Sequence, residues 1–130
     1  MIVVDASALL EVLLRTPAAE TVERRLFERR QTFHAPHLLD VEVAQVVRRY
    51  AAAGEIGAER GRAALADLED FPLQRYPHGF LLPRVWELRQ NLGAYDALYV
   101  ALAEVLDAPL LTRDRRLARA AGYRARVELV

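Results

Sequence analysis

The sequence contains no lysine: all 18 of its basic residues are arginines. That absence excludes chemistry that needs a lysine ammonium, including phosphoryl-aspartate schemes in which a lysine sits beside the phosphoryl group. There is also no cysteine, which removes disulfides and thiolate metal sites and fits a reducing compartment. No apolar run approaches the roughly 18 residues of a membrane span. The start, Met1 to Leu10, lacks the basic lead-in of a signal peptide, so the expected address is the cytoplasm. No internal repeat, linker or low-complexity stretch interrupts the chain.

What is present is one domain's worth of core. The 130 residues are 53% hydrophobic and 28% charged, which marks a globular chain rather than a disordered one. The acids also number 18, so the formal net charge is zero. A neutral total is compatible with a nucleic-acid partner if metal ions cover some of the acids. Arginine's planar fork of donors suits phosphate.

Apolar patterning alternates strands with helices. Ile2 to Val4 reads as a buried strand, Ala6 to Leu14 as a helix broken by Thr16-Pro17, and Ala18 to Arg30 as a helix with Val22, Leu26 and Phe27 inward. Thr32 to Ala35 reads as a strand, and Pro36 to Ala53 as a helix closed by Gly54. Ala58 to Glu69 and Phe80 to Asn91 read as helices flanking a weak strand, Leu73 to Tyr76. Tyr95 to Leu106 is a helix, Leu110 to Thr112 a strand, Asp114 to Ala121 a short helix and Val127 to Val130 a last strand. Such alternation predicts an α/β domain with a mainly parallel sheet.

The acids fall at particular places in this scheme. Asp5 and Asp114 each follow a strand and precede a helix, on the side where open parallel sheets bind ligands. Helix capping also favours Asp there, and the two roles are compatible. At about 100° per residue, Leu39, Val43, Val46 and Tyr50 form one helical stripe with Val47 at its edge, and Glu42 lies on its flank. A boundary glutamate can reach water from such a place. Asp96 heads a segment, Ala97 to Ala103, that is apolar on every side. A first-turn carboxylate gains from the helix dipole, yet one buried without a partner costs several kcal/mol. No arginine lies within a helical turn of it, so its partner comes from elsewhere in the fold or is a metal.

Together the four carboxylates form a constellation that single positions do not. Four like charges converging on one pocket repel, and a hard divalent cation, Mg²⁺ or Mn²⁺, relieves that repulsion. All-carboxylate sites with open water positions suit metal-assisted displacement at phosphorus. The spacing of His34, His37 and His78 is not a zinc pattern, and they read as loop and turn residues. The run Arg113, Arg115, Arg116 and Arg119 beside Asp114 reads either as a basic rim for RNA phosphates or as a solvated helix face.

The segments IVVDASALL, APHLLDVEVAQVVRR, YDALYVALAE and APLLTRDRRL resemble, in order and spacing, the signature regions of PIN-domain ribonucleases, most closely the VapC toxins of toxin–antitoxin pairs. The resemblance spans essentially the whole chain, 1–130, as a single PIN domain. It implies a three-layer α/β/α sandwich around a four- to five-stranded, mainly parallel sheet of order 3-2-1-4-5. It also implies Mg²⁺- or Mn²⁺-dependent cleavage of RNA, with Asp5, Glu42, Asp96 and Asp114 as catalytic metal ligands supported by the hydroxyls of Ser7 and Thr112. Arg113, Arg115 or Arg116 would then guide RNA phosphates. A VapB-like antitoxin and a homodimeric toxin are further implications. A solitary PIN nuclease without antitoxin, or a non-catalytic PIN-like binding module whose acids only cap helices, are the alternatives.

Overall fold

The computed structural model describes residues 1–130. Five parallel strands, β1 (Ile2–Val4), β2 (Phe33–Pro36), β3 (Leu73–Tyr76), β4 (Leu110–Thr112) and β5 (Val127–Leu129), form one sheet in the order β3-β2-β1-β4-β5. The expected order and the fifth strand are both present. Seven helices connect them: α1 (Ala6–Leu13), α2 (Ala19–Phe27), α3 (Leu38–Ala52), α4 (Ala58–Asp70), α5 (Leu82–Glu87), α6 (Ala94–Leu106) and α7 (Arg115–Arg119).

Right-handed crossovers decide the layers. From β1 to β2 to β3 the chain moves in one direction, laying α1 to α4 on one face, where α1 packs on α2, α3 and α4. It then returns across the sheet to β4 and β5, which sends α5, α6 and α7 to the opposite face. Between the parallel strands β1 and β4 the direction of winding across the sheet reverses. The crevice at the carboxyl ends of those two strands is where open α/β sheets bind ligands.

β1 is the innermost strand, and its three residues have no solvent exposure. On α6, Ala97 to Ala103 are all buried, as expected of a helix with no polar face. Each large side chain in that run contributes about 1.5–3 kcal/mol by leaving water. The helix stops at Asp107, whose φ of 48° turns the chain left-handed.

Several boundaries differ from the sequence expectation. Pro36 ends β2 rather than starting a helix, because its segment pairs with β3 through Pro36 and Tyr76. At a strand end, proline's missing N–H costs no ladder bond, and His37 N–H donates to the Tyr76 carbonyl instead, at 2.9 Å. The expected Phe80–Asn91 helix is a 3₁₀ turn at Gly79–Leu81 followed by the short α5, and Trp86 is exposed under the stacked Arg89 guanidinium. Phe27 ends α2 with an exposed ring, although it meets Phe33 edge-on at 5.5 Å. His34 is a buried strand residue rather than a loop residue. It is held between Thr32 Oγ1 and the Tyr76 hydroxyl, each at 2.7 Å.

Candidate active site

β1 delivers Asp5 to the crevice and α1 begins directly after it, yet the Asp5 side chain does not cap that helix. Instead its Oδ2 accepts hydrogen bonds from Ser7 Oγ at 2.6 Å and Thr112 Oγ1 at 2.7 Å. Thr112 is the last residue of β4 and has no solvent exposure, so the strand beside β1 fixes the orientation of the carboxylate. Both bonds fall on one oxygen, which leaves Oδ1 without a side-chain donor. Ser7 also accepts from Arg113 N–H at 3.0 Å, tying the loop after β4 to the start of α1.

Asp114 does both jobs considered for it. It caps α7, accepting from Arg116 N–H at 2.8 Å and Leu117 N–H at 3.4 Å, both through Oδ1. Its Oδ2 takes no part in the cap. Thr112 Oγ1 accepts from Asp114 N–H at 3.0 Å, so one buried hydroxyl sets the positions of two acids.

Glu42 projects from α3. The buried stripe of that helix is Leu39, Val43 and Val47; Tyr50 is exposed and Val46 half-buried. The stripe is therefore turned toward Val47, away from the expected Val46 and Tyr50. Glu42 Oε1 accepts a hydrogen bond at 2.7 Å from the hydroxyl of Tyr99, a fully buried residue of α6. Asp96 lies in the first turn of α6, half-buried rather than sealed in. Tyr95 before it is exposed, not part of the apolar set.

Asp5, Ser7, Glu42, Asp96 and Asp114 line a single open pocket of about 540 Å³, which Leu10, Leu38, Val41, Gln45, Val46, Arg49 and Tyr95 help to wall. None of the four acids has an ion-pair partner. Burial pushes the Asp96 carboxyl up to about 6, and the charges of Asp5 and Asp114 add to the effect while Arg116 opposes it. Glu42 is raised by burial and by Asp5 and Asp96, against the hydrogen bond from Tyr99. Asp5 is raised chiefly by burial, despite its two hydroxyl donors.

The arginines divide. Arg113 turns away to the Val130 carbonyl at 2.6 Å and toward Glu11 at 3.8 Å. Arg115 and Arg116 are exposed, and Arg116 is near enough to act on Asp96. Two residues beside the acids, Arg49 and Tyr99, are not among those the sequence pattern singles out. Arg49 carries a usable signal, standing seven positions after Glu42 and hence on the same helical face. Tyr99 carries none, because inside an apolar run its hydroxyl cannot be told from core.

The donor set bears on what the pocket holds. The four acids and Ser7 offer oxygen only, and no histidine reaches the pocket, which suits a hard divalent cation. No three of the acids stand close enough together to hold a metal ion by themselves. Carboxylates raised by burial and by one another, with no ion-pair partner, suit a cation as well.

The chain belongs to the PIN-domain family, whose model matches residues 2–123. It is 46% identical over 129 residues to Ribonuclease VapC1 of Mycobacterium tuberculosis, covering 98% of this chain and 96% of that one. Identity at that level over nearly the whole of both chains places it in the VapC branch of the family. The crystal structure of Mycobacterium tuberculosis VapC20, a sarcin-ricin loop cleaving toxin, matches with a TM-score of 0.74 at 16% identity, over 95% of this chain and 97% of that one. A toxin–antitoxin complex from Klebsiella pneumoniae matches with a TM-score of 0.67 at 19% identity, over 92% and 91%.

Proposed function

We propose that the chain is a metal-dependent endoribonuclease that acts as the toxin of a toxin–antitoxin pair, cleaving RNA phosphodiester bonds and arresting growth when free of its antitoxin. The observation that carries the reading is the convergence of four carboxylates from β1, α3, α6 and the β4–α7 turn on one pocket, without an ion pair among them. The VapC relatives named as ribonucleases support RNA as the substrate, and the toxin–antitoxin complex of the same fold supports a VapB-like partner. The setting is the cytoplasm, with the toxin as a homodimer.

Asp5, Glu42, Asp96 and Asp114 would hold one or two Mg²⁺ or Mn²⁺ ions. Such an ion, when bound, lowers the pKa of a water and stabilises charge on the phosphate and the leaving oxygen. The chain's own part is positioning. Ser7 and Thr112 hold the Asp5 carboxylate, Tyr99 holds Glu42, and the rigid α6 keeps Asp96 at the pocket. An antitoxin that placed a basic side chain among these acids would block them by direct charge pairing.

The test joins a binding readout to an activity readout. Calorimetric titration with Mg²⁺ should give saturable binding that Asp5→Asn and Asp96→Asn weaken, with RNA cleavage lost in the same variants and the circular dichroism unchanged. No binding and no cleavage by the wild-type chain would instead identify a non-catalytic PIN-like binding module.

A further inference from the structure

The wall of the acidic pocket carries one cation and one strongly exposed aromatic ring, Arg49 and Tyr95. Neither is occupied by the rest of the protein. Arg49 stands two helical turns beyond Glu42, about 10 Å along α3 by the rise of a helix. Its side chain is exposed and enters no ion pair. It pairs with none of the four carboxylates that share its pocket. A guanidinium that serves neither a salt bridge nor the carboxylates of its own pocket is free for an anion arriving from outside.

Tyr95 immediately precedes Asp96 and is 64% exposed. It sits in the first turn of α6, where Ala97 to Ala103 are buried, so its backbone is rigid while its ring faces solvent. An aromatic face beside a phosphate-directed pocket suits a base that has left its stack, and the guanidinium suits that strand's backbone. A duplex keeps its bases inside and has none to offer Tyr95.

Resting on the nuclease reading above, we propose that Tyr95 and Arg49 form a clasp for unpaired RNA, with Tyr95 stacking on a base next to the scissile phosphate and Arg49 holding a phosphate further along the strand. The clasp selects single-stranded or looped segments over duplex. It acts on binding and registration of the strand, leaving the chemistry to the carboxylates.

The probe is a fluorescein-labelled RNA hairpin with a randomised loop, beside a fully paired duplex of the same stem. Both are followed by fluorescence anisotropy in Ca²⁺, a hard ion that fills oxygen sites with looser geometry than Mg²⁺. The wild type should prefer the hairpin. Tyr95→Leu should weaken hairpin binding by about five- to a hundredfold, the range that one lost stacking contact gives, and Tyr95→Trp should retain it. Arg49→Gln should weaken binding and reduce the slope of log affinity against log salt by about 0.7, the value for one phosphate of a single strand, while Arg49→Lys keeps the slope. Hairpin affinity unchanged in Tyr95→Leu and Arg49→Gln, or a wild-type preference for duplex, overturns the clasp.

Cleavage of the same hairpin in Mg²⁺ separates this idea from the reading beneath it. Wild-type cleavage with variants that bind normally defeats the clasp alone. Binding that depends on Tyr95 and Arg49 without any cleavage upholds the clasp and defeats the nuclease. A wild type that neither binds nor cleaves defeats both.

Discussion

Two acids on the same helix lead opposite lives. Asp96, in the first turn of α6, faces other carboxylates with no ion-pair partner, and its carboxyl is pushed up to about 6. Glu104, two turns further on, has a side chain only 7% exposed, yet burial is overcome and its carboxyl lies below the ordinary range. Arg84 grips both Glu104 oxygens at 2.8 and 3.1 Å, and Arg124 N–H donates at 2.7 Å. The difference teaches where the protein accepts cost. Glu104 is a finished ion pair that ties α5 and the chain before β5 to α6, whereas Asp96 stands among like charges with no ion pair to offset its burial.

Substitutions should split along that line. The largest effect is expected from Asp96→Asn. RNA cleavage should fall by more than about a hundredfold, because even outer partners of a metal ligand are worth about 10–100-fold. The melting temperature of the metal-free protein should hold or rise, since like-charge repulsion is removed. Glu104→Gln should do the reverse, costing about 2–3 kcal/mol in urea unfolding by leaving Arg84 half-satisfied, with cleavage intact at low temperature. Equal damage to activity from both variants would erase the contrast.

Metal should distinguish the two acids more gently. At ten times its Kd, Mg²⁺ should stabilise the wild type by about 1.4 kcal/mol, or roughly 3–6 °C in a thermal melt, and Asp96→Asn should show less of this gain. Glu104→Gln should show all of it.

The smallest effect is the pH dependence of the metal-free protein, and its sign differs between the acids. The folded Asp96 carboxyl titrates at about 6 against an ordinary 3.8. The folded state therefore binds the proton more tightly, giving stability that is complete below the ordinary value and lost as pH rises through about 6. Acidifying from pH 7 to 5 should stabilise the fold through Asp96 by at most about 1 kcal/mol once solvent screening is allowed for, and raise the melting temperature accordingly. Glu104 contributes in the other direction. Its stabilisation is present above its ordinary range and fades as pH falls through its lower folded value. A wild-type melting curve that falls steadily from pH 7 to 5, with Asp96→Asn falling in parallel, would show that Asp96 is not held above its ordinary value.

Much of this is legible in the residues themselves. Strand-end aspartates and an all-apolar helix declare their positions through periodicity and burial, which is why the residue pattern alone singles out Asp5, Asp96 and Asp114. Glu42 falls on the correct helix, although local periodicity turns the apolar stripe beside it toward Val46 and Tyr50. A β-branched residue fits a helix edge as readily as a core, so Val46 and Val47 cannot be ranked locally. Pro36 misleads because proline suits the first turn of a helix as well as the end of a strand. The partners of the acids are harder still. Thr112 lies 107 positions from Asp5 and Tyr99 lies 57 from Glu42, distances that only the sheet order closes.

That sheet order also sets a clock. β1 is made first, yet it lies between β2 and β4, and Asp5 receives its Thr112 bond across a separation of 107 residues. At a synthesis rate of about 5–20 residues per second, the ribosome needs roughly 5–20 seconds to pass from one to the other. Throughout that interval Asp5 has no β4 beside it to aim its carboxylate, and Asp114 does not yet exist. Until β4 has emerged, a nascent chain of this topology cannot assemble the four-carboxylate pocket.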